Sequence, residues 1–231
     1  MIPLGTVNNP TRRTPYLTYG FILINVLFFV WQMLTPPPQL NAAYRDLAII
    51  PCQFPANVGP NMLWIYLRGM FLHADWAHLL GNMVYLWLFG TNVEDYFGRR
   101  TFLGLYFLGG LVAGLAQTVI YAYQCSPVIG IGASGAISAV LGAYLVLYPG
   151  TRVRVGVIFF RFFMQVIKVP ALIVLGLWFV IQLLGGAQAY AGGTLGGVGF
   201  FAHIGGFVFG MIFAFAYTLF NRPPETPLYT D

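Results

Sequence analysis

The chain has very little charge. Asp, Glu, Lys and Arg make up 7% of its 231 residues, against 58% hydrophobic residues. A water-soluble domain carries roughly 25% charged residues, so a soluble globule of this length is excluded for want of polar surface. Mean hydropathy is +0.76, and a polytopic membrane protein is the reading that remains. Carboxylates are scarce as well: Asp46, Asp75, Glu94, Asp95, Glu225 and Asp231 are all there are, and none is expected at mid-membrane depth. That excludes an aspartyl mechanism, which needs two adjacent carboxyls, and proton- or ion-coupled transport, which needs ionisable groups at depth. The histidines are His73, His78 and His203. The spacing His73-x-x-x-x-His78 lacks the glutamate of a metalloprotease helix, so no metal is expected, and no other cofactor. No internal repeat of a transporter type is present.

Six stretches are apolar and long enough to cross a hydrocarbon core that takes about 20 helical residues: 15–35, 73–92, 101–123, 131–149, 168–186 and 199–220. The first is too long to read as a cleaved signal peptide. The expected fold is therefore all-α, a six-helix membrane bundle over 15–220, with a polar N-terminal lead 1–14 and a tail 221–231. With six spans both termini share a side, which then holds Arg12, Arg13, Arg99, Arg100, Arg152, Arg154, Arg161, Lys168 and Arg222. Only Arg45 and Arg68 lie on the other. That bias puts both termini in the cytoplasm of a plasma (inner) membrane. Anionic headgroups account for the net charge of +5 without a nucleic-acid partner.

The connections differ in character. Residues 36–72 open with Pro36-Pro37-Pro38, which stops the first helix. The Trp64 and Tyr66 that follow suit either an interfacial or a plain structured loop. Residues 150–167 mix cations with Phe159, Phe160, Phe162 and Phe163, as an amphipathic interfacial segment would. Residues 185–199 hold Gly185, Gly186, Gly192, Gly193, Gly196, Gly197 and Gly199, the composition of a flexible linker or of a mobile cap. Cys52 and Cys125, the only cysteines, fall on the outer side. A disulfide is permitted there, and two unpaired thiols are the expectation.

The second, fourth and sixth spans all run inward, so their first turns share one depth. His78 and Asn82, four apart and on one helix face, occupy the second. Ser134, within Gly132-Ala133-Ser134-Gly135, opens the fourth, and His203, within Ala202-His203-Ile204-Gly205-Gly206, opens the sixth. Polar groups inside a membrane are costly and mark function. Ser134 supplies a nucleophile and His203 a base. His78, Asn82 and the Ser134 N–H, free of the helix ladder, supply oxyanion donors. His73 is expected at the membrane edge, outside the cluster. No carboxylate completes a triad, so the reading is a dyad with the histidine held by packing. Singly, the serine reads equally as a packing residue bonded to its own helix and the histidine as an interhelical hydrogen bonder. Jointly, with two further polar groups at one level, the catalytic reading prevails. Gly135, Ala139 and Gly142, with Gly206/Gly210 and Gly110/Gly114, would let helices approach closely.

These residues resemble the rhomboid family of intramembrane serine proteases. The likeness runs through Phe71-Leu72-His73 with His78 and Asn82, then Val93-Glu94-Asp95 with Gly98-Arg99, then the Ser134 and His203 motifs as far as Gly210. The resemblance implies a six-helix bundle with Ser134 as nucleophile, His203 as base, and His78, Asn82 and the Ser134 N–H as oxyanion hole. It implies a water-filled cavity open to the outer face and single-pass transmembrane protein substrates. The fifth helix and the 185–199 loop would form a mobile gate. A non-catalytic scaffold binding membrane clients is the alternative, lowered because serine and histidine are both present. Two positions depart from the pattern. Ser138 stands where many relatives carry a tyrosine that stacks on the histidine, so something else must orient His203. Trp64 and Arg68 are separated where relatives have a Trp-Arg pair.

Overall fold

The computed structural model describes residues 2–7, 11–47, 60–122, 130–159, 163–192 and 197–221. Cys52, Cys125, Phe160, Phe162 and the tail beyond residue 221 lie outside them. The chain is mostly helical, in the order β1 (Ile2–Val7), α1 (Tyr16–Leu34), α2 (Pro37–Leu47), α3 (Pro60–Gly69), α4 (Trp76–Tyr85), a π-helical turn (Leu86–Gly90), α5 (Thr91–Phe97), α6 (Arg99–Ala122), α7 (Ser134–Leu147), β2 (Arg152–Phe159), β3 (Phe163–Pro170), α8 (Ala171–Gly192) and α9 (Phe200–Phe220). Four helices, α1, α6, α8 and α9, are long and apolar enough to cross a membrane. Their outward faces carry exposed Leu, Ile, Val and Phe side chains, as lipid requires.

At the centre stands α7, packed against α6 and α9. It has only 14 residues, yet every residue from Gly135 to Tyr144 is buried. A helix wrapped by protein need not match the thickness of the lipid, which explains why this one is short. Its neighbours come close because the contact faces carry hydrogens where side chains would stand. A Cβ added at Gly210 would fall on the Ala139 carbonyl, one at Gly142 on the Phe207 carbonyl, and one at Gly206 on the Gly135 carbonyl. Towards α6, a Cβ on Gly135 would come within 2.6 Å of the Ala113 methyl.

The second expected span is α4, the π turn and α5 in unbroken succession. Asp75 starts it, accepting the His78 N–H at 2.8 Å as an N-cap. Glu94, near its other end, accepts Leu17 N at 3.0 Å, Thr18 N at 2.7 Å and the Thr18 hydroxyl at 2.8 Å. The buried carboxylate thus closes the N-terminus of α1, where its charge also suits the helix dipole. Asp95 beside it accepts Arg13 N at 2.9 Å and pairs with Arg12 at 3.4 Å. Gly98, at φ 74°, ends α5 where a side chain would be strained.

Several expectations change. The fold is not all-α: β1, β2 and β3 form a three-stranded antiparallel sheet in that order. The stretch read as an amphipathic interfacial segment therefore supplies two strands, Arg152–Phe159 and Phe163–Pro170, and the N-terminal lead supplies the third. The period-two pattern was present in Arg152-Val153-Arg154-Val155. Val153 and Val155 are buried in the core while the two arginines face out. The glycine-rich connection is also shorter than expected, because α8 runs on to Gly192 and takes in Gly185 and Gly186. A Cβ at Gly185 would collide with the Phe200 ring, so these glycines let α8 approach the start of α9.

Candidate active site

Several polar side chains line one cavity of about 660 Å³. Ser134, His203, His78 and Asn82 all line it, together with Gly132, Gln117 and Tyr66. All four site residues read from the sequence are thus brought together. Ser134 is the first residue of α7, so its N–H lies outside the helical ladder. Ser138 donates its hydroxyl proton to the Ser134 carbonyl at 2.7 Å, a bond within its own helix.

The two cavity histidines carry opposite hydrogen-bond polarity. At His78 the Ala74 N–H donates to Nδ1 at 3.4 Å. A nitrogen that accepts has no proton, so the proton sits on Nε2. Nε2 is the edge facing Gly132: a Cβ there would lie 2.8 Å from it. Gly132 has φ 113°, so both conformation and space demand glycine. At His203 the partner is reversed. Nδ1 lies 2.8 Å from Oε1 of Gln182. An amide oxygen only accepts, so Nδ1 carries the proton and Nε2 keeps its lone pair. The cavity therefore contains one imidazole set to donate and one set to accept.

Asn82 is buried, and its Nδ2 has no hydrogen-bond partner among the described residues. That nitrogen lies 3.7 Å from where a Cβ on Gly132 would sit. A buried unpaired donor costs about 1–3 kcal/mol, an expense consistent with a donor kept for an incoming acceptor. The N-terminus of α9 is tied down separately, Ala202 N donating to Gln117 Oε1 on α6 at 3.0 Å.

His73, expected outside the cluster, packs directly against one of its histidines. It is fully buried, and its ring centroid is 5.1 Å from that of His78, edge to face. His73 precedes α4, which begins only at Trp76, so helical periodicity does not set its direction relative to His78. Gln32 of α1 holds the His73 backbone at both ends, donating to its carbonyl at 2.9 Å and accepting its N–H at 3.0 Å. Gln182 and Gln32 were both missed. A glutamine at a regular place on a buried apolar stripe was the available signal.

A rhomboid domain model matches residues 60–220. The chain is 30% identical over 191 residues to rhomboid protease GluP of Bacillus subtilis, covering 81% of this chain and 34% of that protein. It is 28% identical over 222 residues to rhomboid protease AarA of Providencia stuartii, covering 88% and 73%. It is 30% identical over 203 residues to the mitochondrial rhomboid protein 1 of Saccharomyces cerevisiae, covering 85% and 52%. It thus spans about a third of the first relative's length, nearly three quarters of the second's and about half of the third's. With apolar helices fit to cross a bilayer and a domain match over most of its length, this chain is an integral membrane protein of the rhomboid family.

Proposed function

We propose that the chain is an intramembrane serine endopeptidase that cleaves single-pass transmembrane proteins with a Ser134–His203 dyad, without metal or cofactor. The observation that carries this reading is the opposed polarity of the two cavity imidazoles beside a helix-initial serine. His203 Nε2 takes the Ser134 hydroxyl proton as Oγ attacks the scissile carbonyl carbon. The oxyanion accepts from His78 Nε2–H, Asn82 Nδ2–H and the Ser134 N–H. Collapse breaks the C–N bond, and the leaving nitrogen takes the proton from Nε2. A water, deprotonated by the same nitrogen, then attacks the acyl carbon; the C–Oγ bond breaks and Ser134 Oγ takes the proton back from Nε2. We further read 76–97 and 134–147 as the second and fourth of six spans. At 1.5 Å per residue the first covers roughly 33 Å, enough for a core of about 30 Å. The charge bias places both termini in the cytoplasm of a plasma membrane, with basic residues meeting anionic lipid.

The test is cleavage of a reconstituted single-pass substrate, with labelling by a fluorophosphonate serine probe alongside. Ser134→Ala and His203→Ala each abolish cleavage while retaining the parent's helical circular dichroism, and Ser134→Ala abolishes labelling. Cleavage at the parental rate by either variant would falsify the dyad. A folded parent that neither cleaves nor takes the probe would favour the client-binding alternative.

A further inference from the structure

We infer that Gln182 is the positioning residue for the base: it fixes the tautomer and orientation of His203, and it makes base competence depend on where α8 sits. The inference rests on the dyad reading above and adds the group that dyad lacks. In a Ser-His-Asp triad an acceptor behind the histidine holds the tautomer in which the far nitrogen keeps its lone pair turned to the serine. Among the described residues no carboxylate is left for this: Asp46 is exposed on α2 and does not line the cavity. Glu94 and Asp95 are committed to the start of α1 and the segment before it, and Asp75 caps α4. Ser138 is committed to its own helix.

Gln182 has what the role requires. The buried positions of α8 are Ala171, Leu175, Gln182, Gly186 and Ala189, a stripe at helical spacing, and Gln182 is its one polar member. Its Oε1 lies 2.8 Å from His203 Nδ1. Its Nε2 donates back to the Trp178 carbonyl at 3.4 Å. That second bond sets which end of the amide faces the ring, so the acceptor and not the donor is presented. Trp178, one turn earlier, lies with its ring centroid 5.8 Å from that of His203 at an interplanar angle of 36°. The two side chains occupy the role of the missing aromatic at position 138, from a different helix. A neutral amide also costs less to bury in a bilayer than a carboxylate would.

The consequence is mechanical. Apart from that one stripe, most of α8 is exposed or only partly buried. Displacement of α8 from α9 takes away the acceptor and the indole together, and His203 Nδ1 loses its hydrogen bond. The base is therefore set only when α8 is seated.

Kinetics of the reconstituted full chain on a single-pass substrate test this. Gln182→Leu lowers kcat by about 10- to 100-fold with KM within twofold, in the range seen when the partner behind a functional histidine is lost. Gln182→Glu keeps the acceptor, restores most of kcat, and moves the acid limb of the kcat/KM profile to higher pH, because a carboxylate favours the imidazolium. The other titratable side chains facing the cavity, His78, Asp75 and Tyr66, are the same in all variants. Parental kcat in Gln182→Leu overturns the inference. So does a loss in both variants matched by lowered thermal stability, with an unmoved acid limb in Gln182→Glu, since that is what simple packing would give. Ser134→Ala is run in parallel. If it still cleaves, the dyad fails; if it is inert while Gln182→Leu is fully active, only the positioning role fails.

Discussion

Identical side chains take opposite roles here because their neighbours differ by one hydrogen bond. His78 receives a backbone N–H at Nδ1 and His203 faces an amide oxygen there, so one imidazole donates into the cavity and the other accepts. Asn82 adds a buried amide with a free N–H. Its replacement by alanine should lower kcat by about 10²- to 10³-fold with little change in KM, the magnitude for one oxyanion donor. Initial rates over a range of substrate concentrations check this, and equal losses in kcat and 1/KM would count against it. Gly132→Ala should be more damaging to activity than its size suggests. The methyl would lie 2.8 Å from the His78 ring on a backbone at φ 113°, so ring and loop would both have to move. The polar identity of these residues was legible in the chain. The glutamines behind His203 and His73 were not, since an amide on an apolar helix gives no hint of which neighbour it will meet.

At the scale of elements, the pairing of α7 with α9 sets the level of the serine relative to the histidine. Gly206 and Gly210 face the carbonyls of Gly135 and Ala139, and backbone oxygens cannot rotate aside as a side chain would. Gly210→Ala should therefore cost at least the 1–3 kcal/mol typical of overpacking. It should lower activity further by pushing the start of α9 from α7. A denaturation midpoint in mixed detergent, measured beside cleavage rate, checks this; an unchanged midpoint refutes the close approach. The GxxxG spacing announced such a contact but not its partner. The π turn and the short sheet escaped the sequence reading for a different reason. A π turn has no residue signature of its own, and the mixture of cations and phenylalanines over 150–167 fits an interfacial segment as well as it fits two strands.

Across the whole molecule, the cavity and most of the described cations sit at opposite ends of the α4–α5 run. The cavity lies at the Asp75 end of the α4–α5 run. Arg12, Arg13, Arg99 and the sheet arginines lie at the Glu94 end, which the sheet meets through Thr6 to Asn92 at 3.4 Å. Single cysteines placed at Arg154 and at Asp75 in a cysteine-free background should react with an impermeant maleimide from opposite sides of sealed vesicles, Arg154 from the cytoplasmic side. Labelling of both from one side would overturn the topology.

The family, the membrane setting and the identity of the four cavity residues could all be read along the chain. Each depends on composition or on motifs a few residues long, and a bilayer makes polar residues conspicuous by their cost. What required folding was everything that joins distant segments: Gln182 behind His203 across 21 positions of sequence, Gln32 clamping His73 across 41, and Glu94 closing α1 across 76. A hydrogen bond needs its two atoms within about 3 Å, and only helix packing brings residues so far apart in sequence to that distance.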